Sequence, residues 1–256
     1  YQVWGSAPVG PALISEFQEI ESFFRFTSPI ELLFEYENKR FQENNMVFGD
    51  STAFEVFSWK LISGDEETAL KKPNSIVLTE SVAKKYFGDD NALGKIIKVD
   101  RTETFEVTGV MEDIPNNSHF TLDGLISMKT FHTWRPNIFE SWEYVDFYTY
   151  FTLNEKAKIG HLEGQMPAFI DRHVPEWNGN NPITFEPLSD AYLHSVAGRQ
   201  PGVTGSYSNI FIFSSIAAFI LLIACINFMN LSTARSMERA KEIGVRKAIG
   251  AHKRSL

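Results

Sequence analysis

Histidine, cysteine and acidic side chains are the residues of this sequence that could bind a metal or move protons. The six histidines stand singly, with no HExxH pair and no His/Cys cluster at ligand spacing. The chain shows no GxSxG elbow and no GxGxxG or P-loop, so it carries no signature of a nucleophile, a dinucleotide or ATP. Two acidic turns, Asp65–Glu67 and Asp89–Asp90, could hold calcium, but isolated turn acids are usually solvated. We therefore predict no catalytic, cofactor or metal site, and structural or surface roles for the histidines at positions 119, 132, 161, 173, 194 and 252.

The C-terminal segment has a more specific pattern, a basic helix from Ser232 to Gly250. Arg239, Glu242 and Arg246 recur at helical spacing, and Glu242 precedes Arg246 by four residues, the order that favours an ion pair. Gly244 lies on another side of this helix, where a glycine permits the close approach of a second backbone. Such a helix could rest on anionic lipid or dock on a protein, and the residues alone leave both interpretations open.

A membrane-spanning pattern separates this basic tail from the rest of the chain. From Arg235 onward seven Lys and Arg residues outweigh two Glu, whereas the whole chain has a formal net charge of -8. No charged residue occurs between Arg199 and Arg235, and Ile210–Leu231 contains 22 mostly apolar residues, about 33 Å as a helix. The hydrocarbon core is about 30 Å thick. Because Lys and Arg beside a span stay cytoplasmic, we predict a cytoplasmic tail and an acidic exterior region that would not bind nucleic acid.

Polar and small side chains within the span predict contacts with other helices. Asn227 and Asn230 share a face near the cytoplasmic end, and Ser214 and Ala218 share a face four residues apart. These positions suit a neighbouring helix better than lipid, although an interfacial Asn can also reach the headgroups. The single cysteine, Cys225, excludes an intrachain disulfide and is interpreted as a small apolar filler.

The exterior region alternates between helix and strand patterns, which predicts an α+β domain of mixed helices and antiparallel strands, followed by one transmembrane helix that continues into a cytoplasmic helix. No period typical of repeat proteins recurs. The predicted helices cover residues 12–20, 51–59, 79–87 and 159–173. The predicted strands cover residues 23–26, 30–36, 45–48, 75–79, 96–99, 105–111, 122–128, 143–153 and 182–187, with a hairpin turn at 100–103.

Several separated motifs resemble one family in the right order. The stretch NFMNLSTARSMERAKEIGVRKAIGA, residues 227–251, resembles the cytoplasmic end of the second transmembrane helix in FtsX-like and MacB-like ABC transporter permeases. The exterior stretches 57–97, 105–120 and 148–153 resemble the extracytoplasmic core domain of that family, especially its Bacteroidetes-type members. Residues 64–70 depart from the pattern, because relatives often have Pro after the Gly-Asp pair.

The resemblance implies a permease without a catalytic site or cofactor, working as a dimer with four transmembrane helices per subunit. Residues 1–205 would form the periplasmic domain, 206–233 the transmembrane helix in the bacterial inner membrane, and 234–256 the cytoplasmic coupling segment. The partners would be a separate ABC ATPase, a second permease copy, the bilayer, and a periplasmic adaptor or lipoprotein. The ATPase-coupling residues implied by the motif are Arg239, Glu242, Ile243, Gly244, Arg246, Gly250 and Ala251.

Two other classes of protein stay open at this point. A membrane-tethered sensor would bind a ligand outside and signal through the helix, and a surface-anchored hydrolase would need a nucleophile and base that the sequence does not show. Because the chain starts at Tyr1 and a domain outside the membrane must be exported, we also expect an earlier transmembrane helix. No residue separates efflux, lipoprotein extraction and force transmission to the cell wall.

Overall fold

The computed structural model describes residues 2–115, 117–173 and 183–250. The chain forms two compact units, Tyr1–Thr204 and Gly205–Leu256. The strands are β1 (Gly5–Ser6), β2 (Ile20–Thr27), β3 (Ile30–Tyr36), β4 (Lys39–Gly49), β5 (Leu61–Gly64), β6 (Ser75–Thr79), β7 (Ile96–Val99), β8 (Glu103–Met111), β9 (Gly124–Ser127) and β10 (Val145–Leu153). The helices are α1 (Val9–Glu16), α2 (Ala53–Val56), α3 (Glu80–Phe87), α4 (Met128–Trp134), α5 (Pro136–Glu140), α6 (Ile159–His173) and α7 (Tyr207–Ala248).

Strands β1, β2 and β10 of the first unit form a three-stranded layer. β10 lies between β1 and β2 and is antiparallel to both, and its pairing with β2 runs from Phe147 opposite Thr27 to Leu153 opposite Ile20. Helices α1 and α6 pack together on this layer, because each presents apolar side chains at helical spacing to a shared cluster. The buried members of that cluster are Leu13, Phe17, Ile20, Leu162, Met166 and Phe169.

Six strands of the same unit close into a ring. The order is β4, β3, β7, β8, β6 and β9, and β9 pairs back with β4. Every strand of the ring contributes a buried side chain to one apolar cluster, and α3 adds Val82, Tyr86 and Phe87 to it. The alternation of buried and exposed residues along β7 and β8 follows from this arrangement, since one face of a strand points into the ring.

Aromatic side chains join the ring to the three-stranded layer. Phe24 and Phe26 of β2 pack in one cluster with ring residues such as Val77 and Leu125. The rings of Phe57 and Trp59 stack 4.6 Å apart, and each contacts Phe24 edge-on. Such pairs stabilise a core beyond the area that they bury.

The buried pair Arg25 and Asp50 ties three segments of this junction together. The Arg25 guanidinium lies 3.0 Å from the Asp50 carboxylate, and the exposed fractions of the two side chains are 8% and 16%. Arg25 also donates to the backbone carbonyl of Ala7. The pair therefore connects β2, the residue after β4 and the start of α1.

The structure confirms the mixed α and β architecture, the helix over 159–173 and the hairpin of β7 and β8. The expectation of antiparallel strands fails at two pairings, since β4–β9 and β6–β8 are parallel. The helix expected over 51–59 is limited to α2, because Phe57 turns into extended backbone and places its ring on Phe24. Of the strand expected at 182–187, residues 183–187 form no strand, and residue 182 lies outside the described residues.

Candidate membrane helix and its attachment

Helix α7 is a single uninterrupted element of 42 residues, about 63 Å long at 1.5 Å per residue. Ser206 caps its start, where the side chain accepts a hydrogen bond from the backbone N–H of Asn209. Its apolar half is fully exposed, with side chains such as Phe211 and Phe228 more than half accessible. Among the described residues it is the one helix long and apolar enough to cross a membrane. Its exposed apolar surface is what lipid or other helices would cover.

The four predicted packing residues fall on two sides of α7. Ser214 and Ala218 lie one turn apart, as do Asn227 and Asn230. Thirteen residues separate Ser214 from Asn227, about 3.6 turns, so the two pairs point in roughly opposite directions. The two predicted packing pairs therefore lie on separate faces of the helix. Their partners stay a prediction.

Five of the seven predicted coupling residues, Arg239, Glu242, Ile243, Gly244 and Arg246, lie on the polar half of the same helix. Arg246 donates to the Glu242 carboxylate, as the spacing of four residues indicates. Arg239 lies on the same side of the helix as Arg246. Gly244 lies on another side, which is open, since even a Cβ added there would meet nothing within 4 Å. Ile243 is partly exposed at 42%. Gly250 follows the helix with a φ of 90°, and Ala251 lies outside the described residues.

The segment through which the chain leaves the first unit is docked on that unit. We call residues 197–202 the exit segment. Gly198 pairs with Gln2 in a short parallel bridge, and its carbonyl accepts a hydrogen bond of 3.2 Å from the backbone N–H of Val3. The Arg199 guanidinium lies 4.2 Å from the centroid of the Trp4 ring, a cation–π contact.

Gly202 of the exit segment has no room for a side chain. A Cβ at this position would lie 2.1 Å from the carbonyl oxygen of His119 and 2.9 Å from the Cα of Phe120. A side chain larger than hydrogen therefore does not fit without movement of backbone. The exit segment has no counterpart in the sequence-based predictions. Its one local signal is the dipeptide Pro201-Gly202, which indicates a turn but not what the turn packs against.

Burial and neighbouring charges account for the pKa shifts of Asp50 and His119 in the first unit. Burial raises the pKa of Asp50, and the charge of Arg25 opposes that rise. Burial lowers the pKa of the half-buried His119. His161 and His173 lie beside the carboxylates of Glu19 and Glu16. Within residues 2–115, 117–173 and 183–250, no group of three or more His, Cys, Asp or Glu side chains is placed to hold a metal ion.

Two family models match the chain in sequence order. Residues 4–169 match the MacB-like periplasmic core domain. Residues 214–256 match the FtsX-like permease C-terminal model. The first match covers most of the domain that carries the ring and the three-stranded layer, and the second begins within α7.

Two proteins named MacB are similar to this chain over most of its length. The chain is 26% identical over 231 residues to the macrolide export ATP-binding/permease protein MacB of Bdellovibrio bacteriovorus, covering 86% of the chain and 33% of that protein. It is 27% identical over 236 residues to the MacB of Aggregatibacter actinomycetemcomitans, covering 84% of the chain and 31% of that protein. The chain thus spans about a third of the length of these relatives.

Solved structures show the same fold. A domain of a permease protein from Porphyromonas gingivalis aligns with a TM-score of 0.58 and 25% identity, over 67% of this chain and 78% of that one. The periplasmic region of MacB from Actinobacillus actinomycetemcomitans aligns with a TM-score of 0.52 and 19% identity, over 67% and 76% of the two chains. With its MacB-like periplasmic domain and one long apolar helix, the chain belongs to the MacB-like, FtsX-like family of ABC transporter permeases.

Proposed function

We propose that this chain is the part of an ABC transporter permease that couples ATP hydrolysis by a separate ATPase to movement of its periplasmic domain. The observation that carries the proposal is the continuity of α7, which joins a membrane-length apolar stretch to a basic tail without a break. A helix bends sharply mainly at proline, at pairs of glycine or serine, or at bulges, and the serine pair Ser214-Ser215 lies within an uninterrupted part of α7. Residues 207–243 contain neither proline nor glycine, so a displacement of the tail would be passed along the helix.

The proposed arrangement places residues 1–205 in the periplasm, residues 206–233 in the inner membrane and residues 234–256 in the cytoplasm. The excess of Lys and Arg after the span supports this orientation. A second permease copy would pack on the face of Ser214 and Ala218 or on the face of Asn227 and Asn230. Family membership favours this arrangement over a tethered sensor or an anchored hydrolase.

The proposed contact with the ATPase involves Arg239, Glu242, Ile243, Gly244, Arg246, Gly250 and Ala251. Arg246 and Glu242 present an ion pair on one side of the helix, and Gly244 leaves another side open to a second backbone. A surface that combines fixed charges with a flat glycine site suits docking on a folded protein, because each feature fixes orientation as well as affinity.

The test is the substitution Arg246→Glu in the full permease, expressed together with its ABC ATPase. We expect normal insertion but a loss of permease-stimulated ATP hydrolysis by about fivefold or more, the range of typical coupling energies between sites. The matched control is Lys241→Glu, which makes the same charge change five residues away, off the side of Arg246 and Glu242 but one turn from Gly244, so it tests the ion-pair side of the helix against the glycine side. Both variants alter the positive-inside balance equally, so a difference between them reports the contact.

Undiminished ATP hydrolysis in Arg246→Glu, together with unchanged copurification of the ATPase, would refute the assignment of the coupling surface. The MacB relatives are named for macrolide export. Macrolide efflux is therefore the first cargo to assay, and lipoprotein extraction and force transmission to the cell wall are the alternatives. The ATP hydrolysis measurement does not depend on which cargo is correct.

A further inference from the structure

The exit segment is attached to the first unit at three successive points. Gly198 is bound to Gln2 and Val3, Arg199 covers the ring of Trp4, and Gly202 lies against the backbone of His119 and Phe120. Trp4 is in turn packed edge-on against Tyr148 of β10, with ring centroids 6.3 Å apart. The attachment therefore reaches the central strand of the three-stranded layer and is not confined to a surface loop.

Hydrogen bonds to Ser195, just before the exit segment, give the segment a defined shape. The Gln200 side chain donates to the Ser195 hydroxyl at 2.6 Å, and that hydroxyl also accepts from the backbone N–H of Ala197. The Ser195 hydroxyl donates to Glu186 at 2.9 Å. Arg199 has a φ of 62°, in the left-handed region that residues other than glycine seldom occupy. A residue persists there only when its surroundings hold it, and the Trp4 ring supplies such a contact.

The attachment ends abruptly at Gly202. Val203 is 84% exposed, and α7 begins at Tyr207. Four residues thus connect the last docked position to the helix, and they can extend over at most about 17 Å from Gly202 to Tyr207. The length of chain that could absorb a displacement of the helix is correspondingly short.

We propose that the exit segment and residues 2–4 form a clamp that stays closed while the permease works. The clamp makes the exit segment and the periplasmic domain move as one body, so that a displacement of α7 shifts the domain and does not stretch a linker. This inference rests on the proposed function, in which a displacement of α7 moves the periplasmic domain. The clamp ties residues 2–4 to the outgoing connection of the domain at its surface.

The first experiment locks the clamp. Gln2→Cys and Gly198→Cys are introduced into the full permease in a background without other cysteines, including Cys225→Ala. Paired strands lie about 4.8 Å apart, within the Cα separation that disulfides span. A spin label carried by an unnatural amino acid at the exposed position 72 reports the distance between the domains of the two copies, in the resting state and with the ATPase trapped by ADP and vanadate.

We expect the disulfide to form equally well in both nucleotide states. We also expect the oxidised protein to show the same nucleotide-dependent change in distance as the reduced one. A disulfide that forms in one state only would overturn the proposal, and so would a distance change that oxidation abolishes and reduction restores. Either result would mean that the clamp opens during the cycle.

The second experiment loosens the clamp with Gly202→Ala, whose Cβ would collide with the His119 carbonyl. The matched control is Gly164→Ala, where a Cβ meets nothing within 4 Å. In Gly202→Ala we expect disulfide formation between positions 2 and 198 to slow, and the distance change to shrink, by about fivefold or more while ATP hydrolysis continues. Oxidation to the locked form should restore the distance change, which a merely misfolded domain would not show.

The proposal would be overturned if reduced Gly202→Ala formed the disulfide more slowly but still showed the same nucleotide-dependent distance change as the protein without this substitution. If Gly202→Ala does not accumulate in the membrane, Arg199→Gly replaces it, since it removes the contact with Trp4 without backbone strain. Failure of the proposed function is recognised separately. In that case the unmodified permease shows no distance change with nucleotide, while equal disulfide formation in both states still supports the closed clamp.

Discussion

Removal of the buried cation Arg25 is expected to destabilise the periplasmic domain strongly. Its guanidinium contacts the Asp50 carboxylate at 3.0 Å and the carbonyl of Ala7. It also lies 5.1 Å from the ring of Phe139 and 5.5 Å from that of Phe147. In Arg25→Ala the Asp50 carboxylate stays buried without its counter-charge, and the Ala7 carbonyl loses a donor.

The expected loss is about 3–5 kcal/mol of unfolding free energy, the usual cost of breaking a buried pair from one side. The double variant Arg25→Met/Asp50→Asn should lose less, about 1–3 kcal/mol, because no charge is left buried and mainly the Ala7 carbonyl is unsatisfied. Burial already raises the pKa of Asp50, and the loss of Arg25 removes the charge that opposes this rise. A raised carboxyl pKa favours the folded state at low pH, so the deficit of Arg25→Ala should grow as the pH increases through that pKa.

The assay is urea unfolding of residues 1–204 followed by tryptophan fluorescence. Isolated domains of similar permeases have been solved as structures, which supports working with this part alone. The control is Arg40→Ala, since Arg40 pairs with Glu35 at 3.0 Å but is 46% exposed, and surface pairs contribute about 0–1 kcal/mol. If Arg25→Ala and Arg40→Ala lose the same free energy, the reasoning about the buried pair is refuted.

Three further predictions concern separate parts of the chain. Gly124→Ala should lower the free energy of unfolding in urea by about 1–3 kcal/mol, because its Cβ would lie 2.7 Å from the carbonyl oxygen of Val77. An unchanged stability would contradict the close packing of β6 and β9. Hydrogen bonds from His173 and Arg172 hold the pKa of Glu16 below its usual 4.5. Glu16→Gln should therefore lower the free energy of unfolding at pH 7, and this deficit should vanish as the pH falls through the lowered pKa. A deficit that persists at low pH would contradict this. Asn227→Leu should weaken helix association in membranes by about 0.6–1.7 kcal/mol, measured by dimerisation in detergent, and unchanged association would exclude this face from the interface.

The elements that the sequence predicted well are those defined by local patterns. The long charge-free stretch before Arg235 specified α7, since few other structures tolerate an apolar run of that length. The hairpin of β7 and β8 followed from alternation and from the polar turn, where Asp100 and Arg101 adopt positive φ values of 47° and 68°. Similarly, the helix predicted over residues 79–87 ends at Phe87, as α3 does, and Gly88 follows it with a φ of 64°.

The features that the sequence did not predict depend on contacts between distant residues. Closure of the ring requires β9 to pair in parallel with β4, and no local pattern distinguishes that partner from another strand. Phe57 and Trp59 fit a helical pattern, but their burial against Phe24 outweighs helix propensity. The docking of Gly202 on His119 is of the same kind, because a glycine that leaves room for a distant backbone looks like any turn glycine.

The chain leaves the three-stranded layer after Thr27, at the end of β2, and returns to it at Phe147, near the start of β10. These two residues are partners in the register of β2 and β10. Everything between these two residues is therefore a cassette whose ends already lie side by side. Exchange of this cassette between homologues would have to keep Asp50 and the residues that pack on Phe24 and Phe26, because these contacts join the cassette to the strands that frame it. Chimeras that graft the residues between Thr27 and Phe147 from another member, with these contacts retained, should therefore keep α1, α6 and β10 in register.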